Sequence, residues 1–573
     1  MTFNQLKKNL KIDFTGMPVV KIAVLADAAS QLFCIALKGH GITVGIHFDI
    51  WEADYNQIYM TTLEEESPLY LNKPDFVIIN QSSIKLLDTF YKKDLQQKRN
   101  FSNDQLSFAN ELYSNITKRI NTNVIFLNFA EINDSVFGNF ANKLDSSFLY
   151  QLRKLNVGLM DMAIQHKNVN ICDLSTLQNM KGRLNTVSDK LYINTDNVLE
   201  IDSLPPLVKS VTDIVLAYQG QFKKCVILDL DNTTWGGIIG DDGMEGIQIG
   251  DLGIGKAFTN FQKWILQLKD RGIIVAICSK NTEHIAKEPF EKHPEMALKL
   301  NDIAVFVANW ENKADNIRQI QSILNIGFDA MVFLDDNPAE RAIIKQELPA
   351  VTVPDLPEDP TEYLTFLYSQ NLFETVSFTE ADIKRNDQYR EEAGRAILSK
   401  SFTDEAGFLK SLIMTATAAA VDNFSLPRAA QLTQRSNQFN LRTVRYTEEQ
   451  MKEVMLHEAN ATLAFTLQDK FGEYGLIALL ILEKQSNAVL FVDTWIMSCR
   501  VLKRNVENFT LNQLVLLAAK LGCTTIIGQY LPTAKNGIVA THYKDLGFTE
   551  NNDGLWQLSV ADYKIKQHFI TLK

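Results

Sequence analysis

The sequence is poor in cysteine and has no cysteine cluster. Its six cysteines are scattered over 573 residues, and no two of them form a Cys-x-x-Cys pair. This spacing indicates neither a zinc site built on paired cysteines nor a disulfide framework. Most of the cysteines lie in apolar, strand-like runs, so we expect reduced thiols in a cytoplasmic protein.

Long apolar runs and an excess of positive charge are also missing. No stretch approaches the length of a membrane span, and residues 1–15 carry lysines without the apolar core of a signal peptide, so we expect no membrane attachment. The formal net charge of -11 argues against a nucleic-acid binder, because no broad basic face is available to neutralise phosphates. The length and 46% apolar residues predict a globular protein of several domains.

The chemistry of the chain is concentrated after one apolar run. Residues 225–228 have the pattern of a strand buried on both faces, and Asp229 and Asp231 follow it directly. Because strand side chains alternate, both carboxylates start on one side at the carboxyl end, where open α/β sheets bind ligands. Two carboxylates repel each other unless a cation or a shared proton relieves them. The alternative is an ordinary acidic loop.

Three later segments supply polar partners for these acids. One apolar run ends in Ser279, Lys280 and Asn281, a helical stretch begins at Lys313, and another apolar run ends in Asp335 and Asp336. Each segment alone is common in purely structural contexts. In this order, acids, serine, lysine and acids resemble the haloacid dehalogenase (HAD) superfamily of phosphatases.

The resemblance implies a role for each residue. Asp229 would be the nucleophile that forms an aspartyl phosphate, Asp231 the general acid and base, and Lys313 the catalytic cation. The residues implied to bind phosphate are Thr233, Ser279, Lys280 and Asn281. The residues implied to bind Mg²⁺ are Asp229, Asp231, Asp335 and Asp336. Oxygen ligands suit a hard cation, and no His or Cys cluster stands nearby to favour zinc.

The spacing of these motifs leaves no room for a large cap domain. Residues 235–250 place apolar pairs around Asp-Asp-Gly, which predicts a hairpin at the edge of the site. The intervals from Thr233 to Ser279 and from Ser279 to Lys313 hold little more than this hairpin and helices. We therefore expect an open pocket that receives its substrate from a macromolecule or is covered by other domains.

The residues before 220 alternate strands with helices and predict a doubly wound α/β domain. Its layout resembles an SGNH hydrolase, with Ser30 near the position of the nucleophile. The usual Gly-Asp-Ser and Asp-x-x-His motifs are absent, and a serine without a base is inert. We interpret Ser30 as a helix cap and expect this domain to be non-catalytic.

The last two hundred residues resemble a GNAT-type acyltransferase domain. Arg500 fits the loop that binds the pyrophosphate of coenzyme A in that family, but Lys503 and Asn505 stand where small residues belong. This departure makes coenzyme A a doubtful cofactor. The resemblance places Asn536 and Tyr543 where the pantetheine arm is contacted and the leaving thiol is protonated.

A segment before the GNAT-type strands is unusually rich in amides. Within ten residues it contains Gln431, Gln434, Asn437, Gln438 and Asn440. Such side chains either satisfy backbone groups at a helix end or bind a polar ligand, and the sequence leaves both interpretations open.

Together these parts resemble the FkbH-like family, HAD subclass IIIC. The motifs that carry the resemblance are residues 229–237, 278–281, 435–440 and 497–501. The implied fold is α/β with three domains: residues 1–219 (SGNH-like), 220–370 (HAD-like, without a large cap) and 371–573 (α+β, GNAT-like). The first two domains would each contain a doubly wound sheet.

The family implies a Mg²⁺-dependent phosphatase coupled to acyl transfer. It would transfer a glyceryl group from 1,3-bisphosphoglycerate to the phosphopantetheine arm of an acyl carrier protein during biosynthesis. Cys278 would either hold an acyl group transiently or be a buried strand thiol. One alternative is a phosphatase for another small molecule or a phosphoprotein, with non-catalytic flanking domains; another is a binding scaffold with a degenerate acyltransferase domain.

Overall fold

The structure is a computed structural model that describes residues 1–399, 402, 404–486, 488–551 and 553–573. These residues form two compact units, Met1–Leu216 and Ala217–Lys573. Among the described residues, no helix combines the length and apolarity that a membrane crossing requires.

The first unit is built on a five-stranded parallel sheet. Its strands are β1 (Val19–Ala26), β2 (His47–Glu52), β3 (Phe76–Asn80), β4 (Asn123–Leu127) and β5 (Val169–Cys172). Their order is β2-β1-β3-β4-β5, and every neighbouring pair is parallel. The apolar runs that end at Ala26, Asn80 and Leu127 are buried because helices connect successive parallel strands and pack on the sheet.

Helices account for most of the remaining first unit. They are α1 (Phe3–Asn9), α2 (Gln31–Thr43), α3 (Ile58–Leu63), α4 (Pro68–Leu71), α5 (Ser83–Tyr91), α6 (Leu95–Thr117), α7 (Phe148–Gln165), α8 (Leu174–Lys181), α9 (Asp189–Thr195) and α10 (Leu204–Tyr218). The longest, α6, begins with a capping box formed by Asp94 and Gln97, which satisfies amides at the helix start.

Ser30 occupies the position before α2, but its side chain does not cap the helix. Its hydroxyl donates instead to Oε1 of Glu52 at 2.5 Å. The interpretation of Ser30 as a capping side chain is therefore wrong. The carboxylate of Glu52, which ends the neighbouring strand β2, is the stronger acceptor for this hydroxyl.

The second unit contains a four-stranded parallel sheet. Its strands are β6 (Cys225–Leu228), β7 (Ile274–Ser279), β8 (Val305–Ala308) and β9 (Met331–Leu334), in the order β8-β7-β6-β9. Nearly all strand residues are buried, as expected for a parallel sheet covered on both faces.

The second unit also contains an eight-stranded mixed sheet. Its strands are β10 (Met414–Ala419), β11 (Asn460–Asp469), β12 (Gly472–Lys484), β13 (Val489–Met497), β14 (Thr525–Gln529), β15 (Thr549–Glu550), β16 (Leu555–Ser559) and β17 (Ile570–Leu572). Their order is β15-β16-β14-β13-β12-β11-β10-β17. The pairs β13/β14 and β10/β17 are parallel, and the other pairs are antiparallel.

Thirteen helices complete the described second unit. They are α11 (Ile239–Gly246), α12 (Gly255–Asp270), α13 (Glu283–Lys292), α14 (Lys313–Leu324), α15 (Pro338–Glu347), α16 (Tyr363–Gln370), α17 (Glu380–Ile383), α18 (Arg385–Ser399), α19 (Glu405–Ser411), α20 (Leu426–Arg435), α21 (Glu448–Leu456), α22 (Val506–Lys520) and α23 (His542–Asp545).

These sheets confirm the predicted fold class, with two parallel α/β sheets followed by an α+β region. The domain bounds within residues 1–573 stay predictions. The hairpin predicted at residues 235–250 is present only at its base, where Gly236 and Gln248 pair antiparallel; residues 239–246 between them are helical with a break at Gly243. Asp241 and Asp242 lie in the first turn of α11, where negative charge stabilises a helix. The intervals between the motifs hold helices α11 to α13 and the sheet strands β7 and β8, so no large cap is present there.

Candidate active site

The carboxyl ends of three parallel strands bring the predicted site residues together. Leu228 at the end of β6 pairs with Ile277 of β7 and with Leu334 of β9. Asp229 and Asp335 follow Leu228 and Leu334 directly, so they leave the sheet side by side at one edge. This is the edge at which open α/β sheets bind ligands.

Asp229, Asp335 and Asp336 form a compact acidic cluster. One carboxylate oxygen of each lies within 4.8 Å of the other two. Burial raises the pKa of all three, and burial together with the charge of Asp229 raises that of Asp335 to about 6. Three converging oxygen donors fit a hard divalent cation such as Mg²⁺, since the cluster offers no nitrogen or sulfur ligand.

Lys313 lies between two of these carboxylates. It is the first residue of α14, whose start is capped by the side chain of Asn312. Its Nζ lies 3.0 Å from Oδ2 of Asp229 and 2.6 Å from Oδ2 of Asp335, and only 4% of its side chain is exposed. Burial disfavours the charged ammonium, but the two carboxylates outweigh burial and raise the pKa of Lys313. The lysine therefore offsets part of the negative charge.

Asp231 is held by three hydrogen bonds. Its Oδ1 accepts from Nε1 of Trp235 and from the amide of Ile239, both at 3.0 Å. Its Oδ2 accepts from Nδ2 of Asn281 at 3.1 Å. Burial raises the pKa of Asp231, although these hydrogen bonds oppose the rise. An oriented carboxyl group with a raised pKa suits a general acid and base.

Two threonines fix the turns that follow β6 and β9, one within the first turn and one between the two turns. The hydroxyl of Thr234 donates to the carbonyl oxygen of Asp229 at 2.6 Å. The hydroxyl of Thr233 donates to Oδ1 of Asp336 at 3.1 Å and accepts from the Asp336 amide at 2.9 Å. Thr233, predicted to bind phosphate, is thus engaged in positioning an acid of the cluster.

The serine, lysine and asparagine after β7 have different surroundings. Ser279 is buried, and its hydrogen bond to Asp229 opposes the rise in the pKa of that acid. Asn281 contacts Asp231, as described above. Nζ of Lys280 lies 2.6 Å from Oε1 of Glu340, so this predicted phosphate-binding side chain is in an ion pair.

Arg341 is a site residue that the sequence did not reveal. Its Nη1 donates to the main-chain oxygens of Asp335 at 2.8 Å and of Asp336 at 2.6 Å, and the residue is buried. It fixes the backbone that carries two acids of the cluster. The sequence feature that could have revealed Arg341 is a cation near the start of a helix, α15, where the helix dipole disfavours positive charge.

Arg500 and Asn536, predicted to bind the acyl group or pantetheine, are buried in the GNAT-like part. Arg500 donates to Oγ of Ser498 at 3.3 Å and to the carbonyl oxygen of Tyr474 at 3.1 Å. Nδ2 of Asn536 donates to the carbonyl oxygen of Asn440 at 2.9 Å. Both side chains therefore support neighbouring backbone or loop atoms.

Tyr543 and Cys278, the other two residues predicted for this role, are also buried. Burial raises the pKa of the Tyr543 hydroxyl, and its ring lies 6.2 Å from the ring of Trp495. Cys278 lies in β7 with its Sγ 3.7 Å from the carbonyl oxygen of Lys313, and burial raises the pKa of its thiol. A buried, protonated thiol is a poor nucleophile, which favours the structural interpretation of Cys278.

Comparisons with known proteins show what this chain is similar to. A family model described as FkbH, N-terminal domain, matches residues 21–216. The N-terminal part of BF1531 from Bacteroides fragilis, a solved structure containing a phosphatase domain and complexed with Mg, is 50% identical with a TM-score of 0.64. That match covers 66% of this chain and 100% of the other. The chain belongs to the FkbH-like family of HAD phosphatases.

This FkbH-like chain also matches solved acetyltransferase structures at low similarity. The ribosomal-protein-S18-alanine N-acetyltransferase of Escherichia coli is 17% identical, with 27% of this chain and 99% of that chain covered. The spermidine N-acetyltransferase of Vibrio cholerae is 13% identical, with 26% and 98% covered. Both TM-scores are 0.21, so neither likeness bears on activity. A search of the curated proteins finds no match.

Proposed function

We propose that this phosphatase acts through an aspartyl phosphate on Asp229, with Mg²⁺ as its cofactor. The observation that carries the proposal is the buried acidic cluster with the ammonium of Lys313 inside it. Asp229, Asp335, Asp336 and the main-chain oxygen of Asp231 would hold the ion. When bound, Mg²⁺ supplies neutralisation of charge on the phosphoryl oxygens.

The side chains divide the reaction into two displacements. A carboxylate oxygen of Asp229 attacks phosphorus, and the bond between phosphorus and the leaving oxygen breaks as Asp231 donates its proton to that oxygen. Asp231 then takes a proton from water, whose oxygen attacks the phosphorus of the aspartyl phosphate. Inorganic phosphate leaves and the carboxylate of Asp229 is restored. Trp235 and Asn281 keep Asp231 oriented in both steps.

The test is phosphate release from acyl and sugar phosphates in the presence of Mg²⁺. We expect Asp229→Asn to abolish phosphate release. The variant should also lack the protein-bound hydroxamate that hydroxylamine forms from the aspartyl phosphate. Asp315→Asn is the matched control, because Asp315 is an exposed acid in the first turn of α14. Full activity of Asp229→Asn would contradict the proposed nucleophile.

We propose as a second function that phosphate removal is coupled to glyceryl transfer onto an acyl carrier protein. The supporting observation is that the phosphatase sheet and the GNAT-like sheet share one compact unit, with Nζ of Lys535 2.5 Å from Oδ2 of Asp329. The pantetheine sulfur would attack the acyl carbon of 1,3-bisphosphoglycerate. A carbon–sulfur bond forms, the bond from that carbon to the phosphate oxygen breaks, and phosphate departs with the thiol proton, which leaves a 3-phosphoglyceryl thioester. Hydrolysis of the remaining 3-phosphate through Asp229 and Asp231, by the two displacements described above, then gives the glyceryl group.

Mass spectrometry of the carrier tests this transfer. Incubation with 1,3-bisphosphoglycerate should add a glyceryl mass to the holo carrier but not to the apo carrier, which lacks the thiol. Phosphate release without a carrier adduct would favour a phosphatase with another substrate. No release from any phosphate, with or without Mg²⁺, would favour a binding scaffold.

A further inference from the structure

A cavity of about 270 Å³ lies at the opposite edge of the phosphatase sheet from the acidic cluster. Lys224, Ile274 and Ala330 line it, and they stand at the amino-terminal ends of β6, β7 and β9. The other wall comes from the end of α20 and from residues 497–500 after β13. No residue of the acidic cluster lines this cavity.

The lining of the cavity is rich in positive charge. Its cationic side chains are Lys224, Arg385, Arg428, Arg435, Arg500 and Lys535. Asp329 is the carboxylate among the described lining residues, and it is paired with Lys535 at 2.5 Å. An aqueous anion would therefore meet a strongly positive field in this cavity.

A single buried carboxylate behind the lining is shared among three arginines. Oδ1 of Asp382 lies 2.6 Å from Nη1 of Arg435 and 3.8 Å from Nη1 of Arg428, and it also pairs with Arg385. Nζ of Lys224 donates to the carbonyl oxygen of Arg435 at 2.9 Å, which orients the ammonium without neutralising it. Six cations thus face two carboxylates, and four positive charges remain in excess.

This excess is costly in a buried place. Burial, followed by repulsion from Arg385 and Arg500, lowers the pKa of Arg428 to about 9. Burial also lowers the pKa of Lys224 to about 8. Cations that are withdrawn from water without an opposite charge destabilise a fold, whereas a bound anion would remove the penalty.

One residue of the lining carries a hydrogen-bond donor that no described protein group uses. Nε of Arg435 is buried and has no acceptor among the described residues. The amide side chains of Asn437 and Gln438 line the same space. Guanidinium groups present planar pairs of donors that match the oxygens of phosphate. The amide-rich segment of the sequence therefore lies partly against this cavity.

We propose that this cavity is a binding site for a small phosphate-bearing molecule, separate from the phosphoryl-transfer site. Since one water occupies roughly 30 Å³ in the liquid, the cavity has room for about nine waters. It accommodates inorganic phosphate or a compact phosphomonoester. The ligand contacts residues 497–500, which connect the GNAT-like sheet to the cavity.

Calorimetric titration of the full chain with inorganic phosphate tests the proposal. The titration is done in EDTA at constant ionic strength, with chloride as the reference anion. We expect saturable binding that weakens at least about tenfold in Arg428→Gln, because a charge-assisted contact is lost. Arg318→Gln, which removes an exposed arginine ion-paired on α14, should bind as the unmodified chain does.

Two further variants keep the test informative if Arg428→Gln does not fold. Lys535→Gln, at a less buried position, should weaken binding several-fold, and Asp382→Asn should tighten it because the competing carboxylate is gone. A phosphomonoester such as glycerol 3-phosphate should compete with phosphate. Absence of binding above chloride, or binding that is unchanged in both Arg428→Gln and Lys535→Gln, would overturn the proposal.

Discussion

The two edges of the four-stranded sheet carry opposite charge. At the carboxyl edge three acids surround one lysine, and at the amino edge six cations surround two acids. Both groups are largely buried, and each carries a net charge, which is costly to withdraw from water. Unbalanced buried charge of either sign indicates a ligand of the other sign, a metal cation at one edge and a phosphate at the other.

The edges also differ in how their charged groups are held. At the carboxyl edge, short turns and strand ends fix the side chains, and Arg341 and Thr233 brace the backbone and one carboxylate of the cluster. At the amino edge, the cations come from the start of β6, from α18 and α20, and from the loops after β13 and β14, elements far apart in the chain. The first arrangement suits chemistry that needs fixed geometry, and the second suits binding across an interface.

The largest expected effect comes from neutralising one acid of the metal cluster. Asp335→Asn should lower phosphate release about a thousandfold and abolish stabilisation by Mg²⁺, because a charged ligand is lost from the site of transition-state charge. Phosphate release and Mg²⁺-dependent melting measure this. Phosphate binding in the cation-rich cavity should be unchanged, and a parallel loss there would mean that the two edges are not independent.

The second effect concerns Lys313, whose ammonium lies between the carboxylates of Asp229 and Asp335. Lys313→Met should lower the free energy of unfolding by about 3 kcal/mol without Mg²⁺, since two buried carboxylates lose their counter-charge. Urea denaturation with and without Mg²⁺ measures the loss and its partial recovery. Lys287→Met, which breaks an ion pair in α13, is the control and should cost less than about 1 kcal/mol.

The carboxyl edge could be predicted from the sequence, and the amino edge could not. Parallel strands end at a common edge, so Asp229, Ser279 and Asp335 are forced together once their apolar runs are recognised as neighbouring strands. The amide-rich segment was visible, but nothing in the sequence placed Arg435 against Lys224. That contact depends on how two sheets of one unit pack, which local patterns do not determine.

Two details of the sequence-based prediction differ from the structure, each for its own physical reason. Residues 239–246 combine Asp-Asp-Gly with apolar neighbours, a pattern that both a hairpin and a short helix can satisfy. Ser30 stands at a helix start as predicted, yet the nearby Glu52 on another strand takes its hydroxyl. For Ser30 a contact outside the local motif decided the structure, whereas the helix at residues 239–246 is favoured by Asp241 and Asp242 within the motif itself.

Lowering the pH should weaken Mg²⁺ binding at the carboxyl edge. The pKa of Asp335 without metal is raised to about 6, so its carboxylate is protonated as the pH falls through 6. Since Mg²⁺ needs the deprotonated ligand, its affinity should fall about tenfold per pH unit below that value. Mg²⁺ titrations between pH 5 and pH 8 at constant ionic strength, followed by melting temperature, measure the change. An affinity independent of pH would place the ion elsewhere.

The smallest effect is expected at the amino edge, and it also depends on pH. The pKa of Lys224 is lowered to about 8, so the folded chain binds this proton less tightly than the unfolded chain does. The charged lysine therefore reduces stability below pH 8, and the penalty disappears as the pH rises toward its ordinary value. In phosphate-free buffer, Lys224→Met should increase the free energy of unfolding by about 1 kcal/mol at pH 7 and by less at pH 9.5. Urea denaturation at both pH values measures it, and a variant that loses stability equally at both would show that Lys224 contributes through its contacts and not through its charge.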